Sequence, residues 1–383
     1  MSEYQYYDFR AIDRSLTAEQ KASVASLSSR AEVSQQRAEF VYHYGDFRGN
    51  VTQLMSDTFD MMLYVANWGT QRLMFRLPKA LFNVSEVRDY FISDEIDHDQ
   101  HGEYVIIDLH FNEEDAYSDW LEGEELLDEM LPLRDELLQG DFRVLYLAWL
   151  KAADTAADDE TLEPAVPAGL GQLSHAQQQF AALFGVDEIM INVAADHSPP
   201  LQQTTFQPEA WVNQLPDAEK NDFLARLCRN EPNLTMHLNR RLQTLFQTSP
   251  QAGTSQPPSP RRRFVDIQTT YDARKEAADL EAQRQTAIKA EAKRQADAQK
   301  RQQYLDELKQ RENRVWHEID NLISEGNAKS YEQAARHLSD LRELAERDKT
   351  LEVFQPKLIA LANQYSRRPA FMSRLRGKGL ISP

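Results

Sequence analysis

Three groups of residues have the types and spacing to do chemistry. The first is a histidine- and carboxylate-rich stretch, in which His98 and His101 alternate with Asp97, Asp99 and Gln100. Neutral imidazoles and carboxylates are suitable donors for zinc or manganese. The stretch reads as a polar turn ahead of a strand, where mobile ligands hold metal weakly, so a solvated acidic loop is the competing reading. On balance no metal and no cofactor is expected.

The second group is a set of arginines. Within Gln71–Leu77, strand periodicity puts Leu73, Phe75 and Leu77 on one face, and Arg72, Met74 and Arg76 on the other. On an open sheet face Arg72 and Arg76 could grip a carboxylate or phosphate. Arg48, in a loop flanked by Gly45 and Gly49, could join them. Ordinary pairing with the abundant acids is the alternative use of all three. The third group is the basic end, Arg367, Arg368, Arg374, Arg376 and Lys378, interleaved with Phe371, Met372 and Leu375. It can meet phosphates, dock on an acidic partner or fold back on the acidic head of its own chain. Five bases are few for tight DNA binding, because that affinity is built from neutralised phosphates.

Other catalytic signatures are missing. No phosphate-cradling P-loop and no G-x-S-x-G elbow occurs, and Gly169–Gly171 is followed by neither Lys nor Ser/Thr. Cys228 is the only cysteine, which excludes an intramolecular disulfide and cysteine-based zinc sites. It reads as an inert buried thiol. Carboxylates are plentiful, but nothing in their spacing singles out an acid/base pair.

The elements that must carry these groups follow from patterning. At ~150 residues per domain, 383 residues make two or three units. The net charge of -18 divides unevenly: residues 1–250 hold 42 acids and 18 bases, a balance of -24, and residues 251–383 hold 19 acids and 25 bases, a balance of +6. Such contrast suggests separate partners for the two ends. With no run of ~18 apolar residues, no membrane span is expected. The opening MSEYQYYDFR shows no signal-peptide pattern, so a cytoplasmic location is the expectation.

Strands are predicted at Tyr4–Ile12, Ala38–Tyr44, Met62–Ala66, Gln71–Leu77 and Tyr104–Phe111, with helices opened by a capping box at Thr17–Gln20 and by Asn50. The order suggests an α+β sandwich with helices on one face of a mostly antiparallel sheet, forming an acidic head over residues 1–152. Residues 113–136 carry eleven acids and one base around a leucine face and read as an acidic helix. Residues 153–173 read as a linker, 174–247 as a small helical module, and 248–263 as a second linker rich in Pro, Ser and Gln. From 264 to 325 strong helix formers run almost unbroken, giving a long helix or coiled coil. Its heptad-like seam is Leu305, Leu308, Val315, Ile319 and Leu322, a candidate homodimer interface. A helical hairpin over 326–366 is expected to pack on the long helix, opened by a capping box at Ser330–Gln333 and, for its second helix, by Pro356. Residues 367–383 form the basic tail.

Several blocks are distinctive: YQYYDFRAIDRSLT, HYGDFRGN, ANWGTQRLMFRLP and the ending RRPAFMSRLRGKGL. Together they resemble a family of uncharacterised bacterial proteins. The resemblance implies a bacterial cytoplasmic protein without catalytic residues that can be carried over. It also implies a setting near SWIM zinc-finger proteins, hence near nucleic acid, although this chain lacks the cysteines of such a finger.

Three functions follow as expectations. The first is a non-enzymatic interaction or scaffold protein, with acidic head and basic helical tail joined by the long helix and another protein as partner. The second is a nucleic-acid accessory protein acting through the tail. The third is a sensor or enzyme for an anionic small molecule at the arginine-bearing face.

Overall fold

A computed structural model describes residues 3–112, 125–201, 207–248 and 260–382. The chain divides into two compact units, Met1–Ala277 and Ala278–Pro383.

The first unit is built on an antiparallel sheet. In chain order its elements begin with β1 (Gln5–Arg10), α1 (Ala18–Ala25), β2 (Glu32–Val33), β3 (Arg37–Tyr42), α2 (Val51–Asp57), β4 (Met61–Ala66), β5 (Thr70–Pro78), β6 (Ile96–His101) and β7 (Tyr104–Asn112). The strand order is β2-β3-β1-β4-β5-β7-β6, and every pairing is antiparallel. Thr17 caps α1 with both halves of a capping box, and Asn50 caps α2 by accepting from the Gln53 amide. Gly69, at φ +95°, takes the left-handed turn position between β4 and β5 that a side chain would resist.

Helices cover both faces of this sheet, not one. Leu63, Val65, Leu73, Phe75, Leu77, Ile107 and Leu109 face α3 (Leu126–Met130), α4 (Pro132–Leu138), α5 (Arg143–Ala156), α6 (His175–Leu183) and α7 (Glu188–Ala195) in one core. The alternate residues Phe9, Phe40, Met62, Tyr64, Met74 and Ile106 face Val24 of α1 and Met55 of α2 in a second. Strands buried on both sides lose the simple apolar–polar alternation, which is why β4 is buried along its whole length. Of the expected acidic helix 113–136, residues 113–124 lie outside the described residues, and the remainder forms α3 and α4.

The expected linker over 153–173 is instead tied into the head. Leu162 bridges Arg263, Glu163 is 1% exposed and Leu170 is buried. The reason is a buried ion pair that composition cannot show: Arg262 meets Glu163 at 2.8 and 2.7 Å, and the Tyr146 hydroxyl donates to the same carboxylate. Burial, and then the Glu163 charge, push the Tyr146 phenol well above its ordinary value. The separate module expected over 174–247 also divides. Helices α6 and α7 belong to the head's core, and α8 (Pro208–Trp211), α9 (Asp217–Cys228) and α10 (Leu234–Gln247) bury little beyond Leu215 and Leu242. Cys228 is exposed rather than buried. Of the second expected linker, residues 249–259 lie outside the described residues.

Helix α11 (Phe264–Gln310) begins in the first unit, where Phe264 and Ile267 join the core, and runs on into the second. The second unit continues with α12 (Glu312–Glu325), α13 (Ala328–Arg347), α14 (Leu351–Gln364) and α15 (Pro369–Gly377). Gly326, at φ +78°, ends α12 in the left-handed conformation that favours glycine. The cap of α13 is Asn327, accepting from the Ser330 amide at 2.9 Å, so the helix opens three residues before the expected box. Pro356 sits inside α14 rather than at its start; burial of Phe354 and Leu358 holds the helix across the missing N–H.

The seam residues fall within this unit's own core. Leu305, Leu308, Val315 and Ile319 are buried and Leu322 partly so, against Leu338, Leu341, Phe354 and Leu358 of α13 and α14. A single chain therefore covers the face that heptad spacing offered to a second copy. Among the described residues, no helix is long and apolar enough to cross a membrane.

Candidate functional site

Arg72 and Arg76 share one sheet face, as the alternation requires, but that face is closed. Arg72 forms a two-point pair with Asp108, diagonal to it on β7, at 2.8 and 2.5 Å. Burial by itself would lower the Arg72 pKa; the hydrogen bonds and charge of Asp108 outweigh it and raise it. His110, directly opposite Arg72, is held below the ordinary histidine value by burial and then by the Arg72 charge.

Arg76 is 1% exposed. Its guanidinium donates to Asp60 at 3.2 and 2.7 Å and to the Ser56 carbonyl at the end of α2 at 3.1 Å. The other Asp60 oxygen accepts the Ile12 and Asp13 amides, and Arg134 of α4 closes the set by a two-point pair with Asp13 at 2.9 and 2.7 Å. Two arginines and two aspartates thus neutralise each other in the interior and tie α2, α4 and the sheet together. A half-satisfied buried network would destabilise the fold, whereas this one is paired throughout. Arg76 is a structural residue here, unavailable to a ligand from solvent. Arg48 is exposed in the loop after β3 and alone of the three keeps an unengaged guanidinium among the described residues.

His98 and His101 do not converge. The expected turn is the edge strand β6, and a spacing of three along a strand sends side chains to opposite faces. His98 stacks on Phe91 with ring centroids 4.8 Å apart, and His101 pairs with Asp99 at 2.9 Å. Among the described residues no group of three or more His, Cys, Asp or Glu side chains could hold a metal ion.

The basic tail is folded. Phe371 and Leu375 of α15 are buried in the second unit, against α13. Arg368 donates to the Tyr331 hydroxyl at 2.9 Å, and Arg374 and Lys378 pair with Glu332 at 3.6 and 3.1 Å. Lys378 is the first cause of Glu332 titrating below the ordinary glutamate range. Arg367 and Arg376 remain unengaged among the described residues. The tail thus packs on α13 within its own unit.

A concave surface with unpaired charge lies elsewhere, beside β6. After β5 the chain turns at Pro78, whose carbonyl accepts both the Leu81 and Phe82 amides at 2.9 Å. It then crosses the sheet edge in two short 3-10 turns, Val84–Glu86 and Arg88–Tyr90, pinned by buried Phe82, Val87 and Tyr90. Between this crossing and the β6–β7 edge lies a cavity of about 560 Å³. Lys79 and Arg88 give it positive charge, His98, Asn83, Ser85 and Gln100 add polar side chains, and Val84 and the buried Phe82 and Val105 complete the lining.

Neither Lys79 nor Arg88 has a carboxylate partner among the described residues, and His98 lies in the field of Asp99. The nearby acids are engaged elsewhere: Glu86 accepts from Asn83 at 3.1 Å, and Asp89 pairs with Arg261 at 2.6 Å. Lys79 and Arg88 carried no sequence signal, because nothing in a single chain shows that residues 79, 88 and 98 meet at one edge. His98 was visible only as half of a metal pair.

Compared with family models, curated proteins and solved structures, the chain finds no match in any of the three.

Proposed function

We propose that this chain is a non-enzymatic interaction protein: an acidic head and a basic-leaning helical unit, each meeting its own protein partner, with α11 as the connector between them. One observation carries the reading. Every residue of α11 from Asp272 to Lys300 is exposed, on all sides of the helix, while its beginning and end are held in separate cores. A helix that is polar all round is a solvent-bridging element unless a partner covers it. Alanine, glutamate, glutamine, lysine and arginine keep it helical without tertiary contact, and Gln285 and Gln295 add i,i+4 bonds to Glu281 and Glu291.

On this reading the protein works in the cytoplasm, without membrane contact. A nucleic-acid role through the tail has less to draw on, since three of its five basic residues are engaged on α13. The test is cross-linking mass spectrometry on the tagged full-length chain in native lysate, with and without nuclease. Two proteins, each cross-linked to a different unit and both surviving nuclease, are expected. Partners that disappear with nuclease would overturn the reading.

A further inference from the structure

We propose that the cavity beside β6 binds the phosphoryl group of a small phosphate-bearing molecule, with Lys79 and Arg88 holding its oxygens and His98, Asn83, Ser85 and Gln100 beside them. The head is acidic overall, at 42 acids to 18 bases over residues 1–250, and most of its described arginines are spent on carboxylates. Against that background two unpaired cationic side chains, Lys79 and Arg88, around one concavity are a local reversal of sign.

Backbone geometry fixes where each basic group starts. The Lys79 amide donates to the Glu103 carbonyl at 2.8 Å, holding it at the sheet edge. The Arg88 carbonyl accepts the Phe91 amide at 3.2 Å, which closes its turn. His98 pairs with Ile107 across the ladder, and its ring rests on Phe91. Backbone geometry therefore sets the three main-chain positions around one rim.

The chemistry favours phosphate over a simple carboxylate. A planar guanidinium and an ammonium together match a multiply charged, three-oxygen group, and arginine meets such a group through paired N–H donors. The cavity volume lies within the roughly 300–1,000 Å³ of small-molecule sites. Phe82 and Val105 are already packed in the core, so the side chains that meet the ligand are the charged and polar ones.

Isothermal titration of the full-length protein with phenyl phosphate, inorganic phosphate and benzoate tests this. Inorganic phosphate should bind saturably, and phenyl phosphate should bind more tightly than benzoate. Lys79→Ala and Arg88→Ala should each weaken phosphate binding by about tenfold, the size of one charge-assisted hydrogen bond. Both side chains are exposed and unpaired, so the variants should keep the wild-type melting temperature, and Arg48→Ala should bind as wild type does. No saturable binding, equal binding of benzoate, or unchanged affinity in the Lys79→Ala/Arg88→Ala double variant would overturn the proposal. The result is independent of the connector reading, which the cross-linking experiment decides.

Discussion

Arg262 and Glu163, 99 positions apart in sequence, form a two-point ion pair that closes the first unit around Tyr146. The Arg262 guanidinium also donates to the Val193 carbonyl at 3.2 Å, so one side chain joins the segment after α5, helix α7 and the approach to α11. Removing one member of a buried pair leaves an uncompensated charge. Arg262→Met should destabilise the first unit by about 3 kcal/mol in urea unfolding. Glu163→Gln/Arg262→Met, which strands no charge, should recover part of that loss. A loss below about 1 kcal/mol in Arg262→Met would show that the pair is solvated and the segment loosely held.

The seam residues give a second expectation. Because Leu308 and Ile319 are buried within one chain, Leu308→Ala should cost about 2–4 kcal/mol in the second unit and leave the light-scattering mass unchanged. A wild-type dimer that dissociates in this variant would place the seam between copies instead.

The pH dependence of the first unit has a definite sign. Burial is the leading cause holding both His110 and His237 below the ordinary value, with nearby arginines adding to it. The unfolded chain therefore binds protons that the folded unit resists. These two groups contribute stability above their unfolded pKa, and it is lost as pH falls through 6.5 toward their folded values. The melting temperature should drop between about pH 7 and pH 5, and His110→Asn/His237→Asn should flatten that part of the profile. An identical slope in the double variant would assign the drop to other groups.

The exposed stretch of α11 can be interrupted directly. Ala287→Pro/Ala290→Pro should reduce far-UV helicity and open a protease site there, since each proline costs about 3 kcal/mol in a helix interior. The unfolding transitions of both units should stay in place, because residues 272–300 join neither core. A shift in either transition would reveal a structural role beyond connection.

Much of the head was legible because its strands carry aromatic and β-branched residues between clear turns. Tyr4–Ile12 contains β1, and the hairpin around Asn67–Gly69 is β4 and β5. Edge strand β6 was not legible. Its sequence is Ile-Asp-His-Asp-Gln-His, and charge along an edge discourages pairing with other chains while erasing the alternation that marks a strand. The arginines show a different limit. Alternation placed Arg72 and Arg76 on one face correctly, yet whether that face was open depended on α1 and α2 packing there and on Asp60 arriving from the end of β4. The same holds for the heptad seam: spacing identified the buried residues and could not say which helices would bury them.

The pair that opened this discussion also sets a timetable for synthesis. Glu163 is added to the chain 99 residues before Arg262, a delay of roughly 5–20 s at ordinary elongation rates. Throughout that interval Tyr146 and Trp149 lack the Arg262–Phe264 segment that covers them in the finished unit. The nascent head must wait, partly open, for the first turn of its connecting helix.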